Sequence, residues 1–204
     1  MAARLWIAGA QTPCRQGFSG RDGCVPGPVA TSRIAAMTMP HSPAHQLSMT
    51  VLMSPDMANF SGNVHGGAVL KLLDQVAYSC AARYSGSYVV TLSVDQVTFL
   101  QPIHVGELVT FLASVNYTGT SSMEIGIKVV AEEIRTQIVR HVNSCFFTMV
   151  AVDEARKPTP VPPLSPSTAD ERRRWEAALL RKSLRKEQAE RFAQIQREAA
   201  LVHG

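Results

Sequence analysis

Between Met49 and Asp153 apolar runs alternate with short turn signals, and their spacing predicts six elements in the order β-α-β-β-β-β. The run MTVLM (49–53) reads as a first strand. The stretch from about Gly66 to Tyr84 is built from Ala, Leu, Lys and Gln, which favour helix, and it ends at the turn-prone Ser85, Gly86 and Ser87. Four strand-like stretches follow with no helix between them: YVVTLSVDQVTFL (88–100), ELVTFLASVNY (107–117), SMEIGIKVVAEEI (122–134) and IVRHVNSCFFTMVAVD (138–153). Gly106, the Thr118-Gly119-Thr120 turn and the region around Thr136 separate them. The helix is apolar almost all round, with Ala68, Val69, Leu70, Leu72, Leu73, Val76, Ala77, Tyr78, Cys80 and Ala81 leaving no broad polar face. Such a helix must be covered on most sides, which predicts an α+β domain whose antiparallel sheet wraps around a central helix. An open sheet of this kind keeps free edges, and that favours pairing with a second copy.

The texture changes at both ends. Residues 1–42 are rich in Gly, Pro, Ser, Ala and Arg and show neither a 2- nor a 3.6-residue period. They read as a disordered extension, one that would lie upstream of a start at Met37, Met39 or Met49, or alternatively as a transit peptide given their arginines and single acid, Asp22. The domain is expected over 43–157. From 158 to 204 come a Pro-rich linker and a charged helix, capped by Ser167 or Thr168 and carrying Asp170 and Glu171 in its first turn. With many charges and only a thin apolar stripe (Leu180, Leu184, Phe192, Ile195), that helix reads as solvated and laced with i,i+4 ion pairs; a partner-facing helix and a basic tail near a phosphorylated ligand are the alternatives.

Composition narrows the functional classes. Of the 204 residues 46% are hydrophobic, enough for a sizeable core, yet no run reaches the eighteen or so apolar residues of a membrane span. The net charge of +4 comes mostly from the ends, which argues against a nucleic-acid-binding core. Cys14, Cys24, Cys80 and Cys145 form no C-x-x-C pair and the six histidines no ligand motif, so the expectation is a reducing compartment, no metal and no cofactor.

The candidate chemistry sits in NFSGNVHGGAVLKLLDQVA (59–77). Gly66 and Gly67 open the helix without side chains, so a ligand carbonyl could approach the unpaired amides of the first turn. Asp74 stands seven residues beyond Gly67, on nearly the same face and about 10 Å along the axis. It either ties the helix to a strand or faces solvent, or else it serves as a base or nucleophile opposite an electrophile held by those amides. Asn59 either caps its own loop or offers its amide to a water or carbonyl. His65 reads as a cap at the helix entrance, with proton transfer as the sharper alternative. The Thr120-Ser121-Ser122 run reads as an edge or turn feature, or as a source of hydroxyls for a ligand.

Together, Asn59-x-x-Gly62-x-x-x-Gly66-Gly67, Asp74, VTFLQPIHVGELV and GTSSMEI resemble the hotdog-fold acyl-CoA thioesterases of the brain-type and YciA-like groups, over roughly residues 43–157. The resemblance implies a cytoplasmic, metal-free homodimer, often built into a homohexamer as a trimer of dimers, that hydrolyses acyl-CoA to free acid and CoA. It implies that Asp74 is the general base or nucleophile and that Asn59 acts from the other protomer. It also places Thr120 and Ser122 near substrate and makes the Gly67 amide the oxyanion donor, with Gly66 and His65 beside it. A dehydratase on the same fold would need a histidine in a different local setting from VHGG. A non-catalytic acyl-CoA sensor would have no use for Asp74 and Asn59 together.

Overall fold

The computed structural model describes residues 44–202, with side chains to 198. The extension expected over 1–42, with Cys14 and Cys24, lies outside the described residues. Strand β1 (Gln46–Leu52) leads through a short 3-10 turn (Pro55–Met57) to α1 (Gly66–Ser85). Then come β2 (Tyr88–Val94), β3 (Thr98–Phe99), β4 (Leu108–Thr118), β5 (Ser122–Glu133) and β6 (Ile138–Val152), and last α2 (Ala169–Val202). The strands form one antiparallel sheet in the order β1-β4-β5-β6-β2, with β3 also paired to β6. The strand expected over 88–100 is two: its register slips between Thr91 and Ser93, and Asp95 leaves the ladder to donate its N–H to the Phe146 carbonyl (2.9 Å). Such a slip bends the strand and lets it follow the curl of the sheet.

The sheet curls over α1, whose Val69, Leu73, Val76, Ala77, Cys80 and Ala81 are buried against it. These positions recur at the helical period and make one face. Gly86, left-handed at φ +67°, closes the helix by donating to the Ala82 carbonyl. The expectation of a helix covered on most sides does not hold for the single chain: Leu70 and Tyr78 are 40% and 39% exposed, and Lys71, Asp74 and Gln75 lie on the same open stripe. One sheet reaches only one side of the cylinder.

The opposite face of the sheet is also covered. The Pro-rich stretch is laid along the domain, Thr159 and Val161 donating to Ala151 and Thr120 carbonyls and Leu164 to the Thr118 hydroxyl. Thr168 then caps α2, receiving the Glu171 N–H while the Glu171 carboxylate accepts from the Ser167 and Thr168 amides. Those backbone donors, with the Ser167 hydroxyl, hold the Glu171 carboxyl down at about 2. The first half of α2 is docked rather than solvated, which corrects the sequence reading. Ala178 is fully buried, Arg181 reaches Glu124 (2.6 Å) while lying over the Phe146 ring (3.5 Å to its centre), and Arg185 reaches Asp95 (2.6 Å). Glu124 is buried, so its two arginines are what make the carboxylate tolerable there. Only residues 186–198 match the solvated picture, exposed and carrying the Lys186–Glu190 and Glu187–Arg191 pairs.

Under α2 the buried Asn116 accepts from the Ser114 hydroxyl (2.8 Å) and donates to Glu124 (3.4 Å), with its amide lying against the backbone of Gly126. A Cβ at residue 126 would overlap that amide. Gly126→Ala is therefore expected to cost about 1–3 kcal/mol of stability, read as a lower urea midpoint. An unchanged midpoint would mean that Asn116 can move aside freely.

Candidate active site

The loop before α1 is organised by one side chain. Asn59 Oδ1 accepts from the Ser61 and Asn63 amides (2.9 and 3.1 Å), its N–H donates to the Asn63 carbonyl (2.7 Å), and Gly62, at φ +79°, donates to the Asn59 carbonyl. Loop capping by Asn59 is thus realised. Only its Nδ2 is left over, with no partner among the described residues, so the amide turns two hydrogen-bond donors away from its own loop. Next to it Phe60 is fully exposed, an apolar ring at the loop tip.

His65 is the N-cap of α1. Its Nδ1 accepts the Gly67 N–H (2.9 Å), the role usually filled by a Ser, Thr, Asp or Asn oxygen, and its carbonyl accepts from Ala68 (2.9 Å). The bond leaves the ring proton on Nε2. Gly67 is tight against the imidazole, since a Cβ there would stand 3.0 Å from Nδ1. The amide singled out as oxyanion donor is therefore already engaged. The donor without a partner among the described residues is the Gly66 N–H, at the positive end of the helix. Over Gly66 lies the ring of Phe99, 3.8 Å from where a Cβ would stand.

Two turns on, Asp74 is exposed rather than enclosed in the single chain. It nevertheless ties the helix to the sheet, because the Thr91 hydroxyl of β2 donates to Oδ1 (2.7 Å). That bond orients the carboxylate and leaves Oδ2 open. Leu70 and Tyr78 flank the pair on α1, and β2 exposes Tyr88, Leu92 and Val94 along the same edge, while Val90, alternate to Thr91, lies on the other face of the sheet; among the described residues no strand lies beside the outer edge of β2. Tyr78 and Tyr88 meet edge to face (6.0 Å). A free strand edge and an apolar flank of this size are features that association covers.

Thr120 and Ser122 are not brought to Asp74 within one chain. Ser122 has the same strand parity as Glu124, which faces α2, whereas Asp74 and Thr91 meet on the α1 side. Thr91 is the residue that sequence reasoning missed. A threonine inside a strand is an ordinary β-former, and only its register opposite the helix singles it out. Among the described residues no group of three or more His, Cys, Asp or Glu could hold a metal ion. Burial pushes the Cys80 and Cys145 thiols up to about 12, which disqualifies them as nucleophiles.

A family model for the thioesterase superfamily matches residues 61–138. Protein VdlD of Helicobacter pylori is 55% identical over 140 residues, spanning 69% of this chain and 80% of its own. An apo-hexameric acyl-CoA thioesterase superposes with a TM-score of 0.69 at 38% identity, over 71% of this chain and 92% of that one. An acyl-CoA hydrolase of Staphylococcus aureus, solved with butyryl-CoA, coenzyme A and coenzyme A disulfide, gives 0.69 at 28% identity, over 76% and 94%. That enzyme has also been solved with an aspartate, an asparagine and a threonine each replaced by alanine. The intervals between those three positions are the ones that separate Asn59, Asp74 and Thr91.

Replacing His65 by alanine removes the cap and is expected to lower stability by about 1 kcal/mol. Thermal unfolding followed by circular dichroism measures it, and no loss would show that the Gly67 amide is equally well served by water.

Proposed function

The chain belongs to the thioesterase superfamily, and from that premise we propose that it hydrolyses acyl-CoA thioesters to free acid and CoA through Asp74. The observation that carries the reading is the Thr91-held carboxylate two helical turns from an amide at the α1 N-terminus that has no partner among the described residues. In this reaction the thioester carbonyl oxygen lies at the Gly66 N–H, where the helix end stabilises the negative charge that develops as the carbon becomes tetrahedral. Asp74 either takes a proton from the attacking water or attacks the carbon itself, forming an anhydride that water then opens. The C–S bond breaks, the electron pair leaves on sulfur, and the thiolate is protonated to CoA.

Asn59 enters from a second copy. Its Nδ2 donates to the water or to the Asp74 carboxylate, and no bond joins Asn59 to Asp74 within the chain. The exposed Phe60 beside it and the open β2 edge support this arrangement, as does the hexameric state of the related thioesterase. The homodimer is then the smallest competent unit, and a trimer of dimers its larger form. Thr120 and Ser122 would then serve a part of the CoA remote from the thioester. No helix of the described residues is long and apolar enough to cross a membrane, and the two buried free thiols fit a cytoplasmic location.

Thiol release from a panel of acyl-CoAs of different chain length tests the activity. Asp74→Asn is expected to fold and to lose at least about a hundredfold in turnover, and Thr91→Val about tenfold, the scale of one hydrogen bond to a charged group. Asn59→Ala is expected to be impaired as well. Mixing it with Asp74→Asn under subunit exchange should restore part of the activity, because one of the two sites in each hybrid is intact. Undiminished turnover by Asp74→Asn removes that residue from the mechanism, and acyl-CoA binding without any turnover favours a sensor.

A further inference from the structure

We infer that Phe99 forms a wall of the acyl-thioester site and that Arg185, on the C-terminal helix, is the positioning residue that holds it there. The inference rests on the reading of the α1 N-terminus as the place where the thioester carbonyl is held. Phe99 is 43% exposed, and its ring edge covers Gly66, the helix-start residue whose amide has no partner among the described residues. A carbonyl oxygen arriving at that amide passes the ring, and the chain attached to the carbonyl runs along it.

The strand that carries Phe99 is short. β3 is two residues, Thr98 and Phe99, paired to Ser144 and Asn143, with the Asn143 amide donating to the Thr98 carbonyl (2.9 Å) and the Leu100 N–H to the Val142 carbonyl (2.9 Å). Upstream, Gln96 and Val97 belong to no strand; Val97 packs against the core, and the next residue held by hydrogen bonds is Asp95. Its N–H is held by the Phe146 carbonyl, and its carboxylate by Arg185 Nη1 at 2.6 Å. Arg185 also approaches Glu124 (3.5 Å), which Arg181 grips at 2.6 Å while stacking on the Phe146 ring. Both the backbone and the side chain of Asp95 are therefore fastened to the unit that docks α2. A two-residue strand with an unpaired lead-in takes its placement from such an anchor, and charge-assisted bonds of this length are directional.

The ring contacts the acyl thioester before and during reaction alike, so its loss is uniform binding: KM rises and kcat holds. Phe99→Ala is expected to raise KM for acyl-CoA about tenfold with kcat within about twofold. Arg185→Ala is expected to raise KM about three- to tenfold in the same manner, Arg185→Lys to recover most of it, and Arg185→Ala to add nothing further in the Phe99→Ala background. An enzyme merely destabilised by losing a helix contact would show lower kcat at unchanged KM, because only the active fraction falls. The inference is overturned by that pattern, by additive effects of the two substitutions, or by an unchanged KM in Arg185→Ala. Asp74→Asn run in parallel separates the two levels. If it is inactive while Arg185 and Phe99 prove independent, only the positioning role fails; if it is active, the reading of the site itself fails.

Discussion

A single curled sheet can bury only one side of a helix, and most of the architecture follows from that limit. The sheet covers Val69, Leu73, Val76 and their neighbours on α1, and leaves a stripe through Leu70, Asp74 and Tyr78 uncovered. Because Asp74 sits on that stripe, its carboxylate keeps its hydration in the isolated chain and needs only one partner, the Thr91 hydroxyl, to be oriented. In the proposed dimer a second subunit laid on this stripe would enclose the carboxylate. On that proposal assembly and desolvation of the site would be the same event, the partner's surface supplying the low-dielectric surroundings in which an amide dipole acts strongly on a carbonyl.

The elements were largely legible in the sequence. Periodicity located the helix and the strands to within a few residues, because apolar spacing reports which face each element buries. What it could not report was depth. A helix apolar on nearly every side looks buried when read alone, yet Leu70 and Tyr78 are exposed in the single chain, and a sequence does not distinguish a core residue from one on a surface that association covers. The break at Asp95 was hidden for a related reason: Asp95 leaves the ladder to join Phe146 and Arg185, partners about fifty and ninety positions away.

The candidate site was legible in part. Glycines, histidine and aspartate in one short segment pointed to the helix start, but which amide stays open depends on His65 turning its Nδ1 to Gly67 rather than outward. Thr91 was invisible because its significance is a contact, not a type. The C-terminal helix was misjudged through averaging: its charges look like a solvated surface, while Arg181 and Arg185 spend theirs on Glu124 and Asp95, so half of the helix is structural and half is free.

Asn59 divides one small group into two halves with different duties. Its oxygen is consumed in folding the loop and its nitrogen is spare, so the bend itself dictates the polarity presented outward. A carboxylate in that position could still gather both loop amides and keep the bend, yet would present an anion where the asparagine presents two donors. Chain shape and site chemistry are therefore separable at a single atom, and selection can act on the one without disturbing the other.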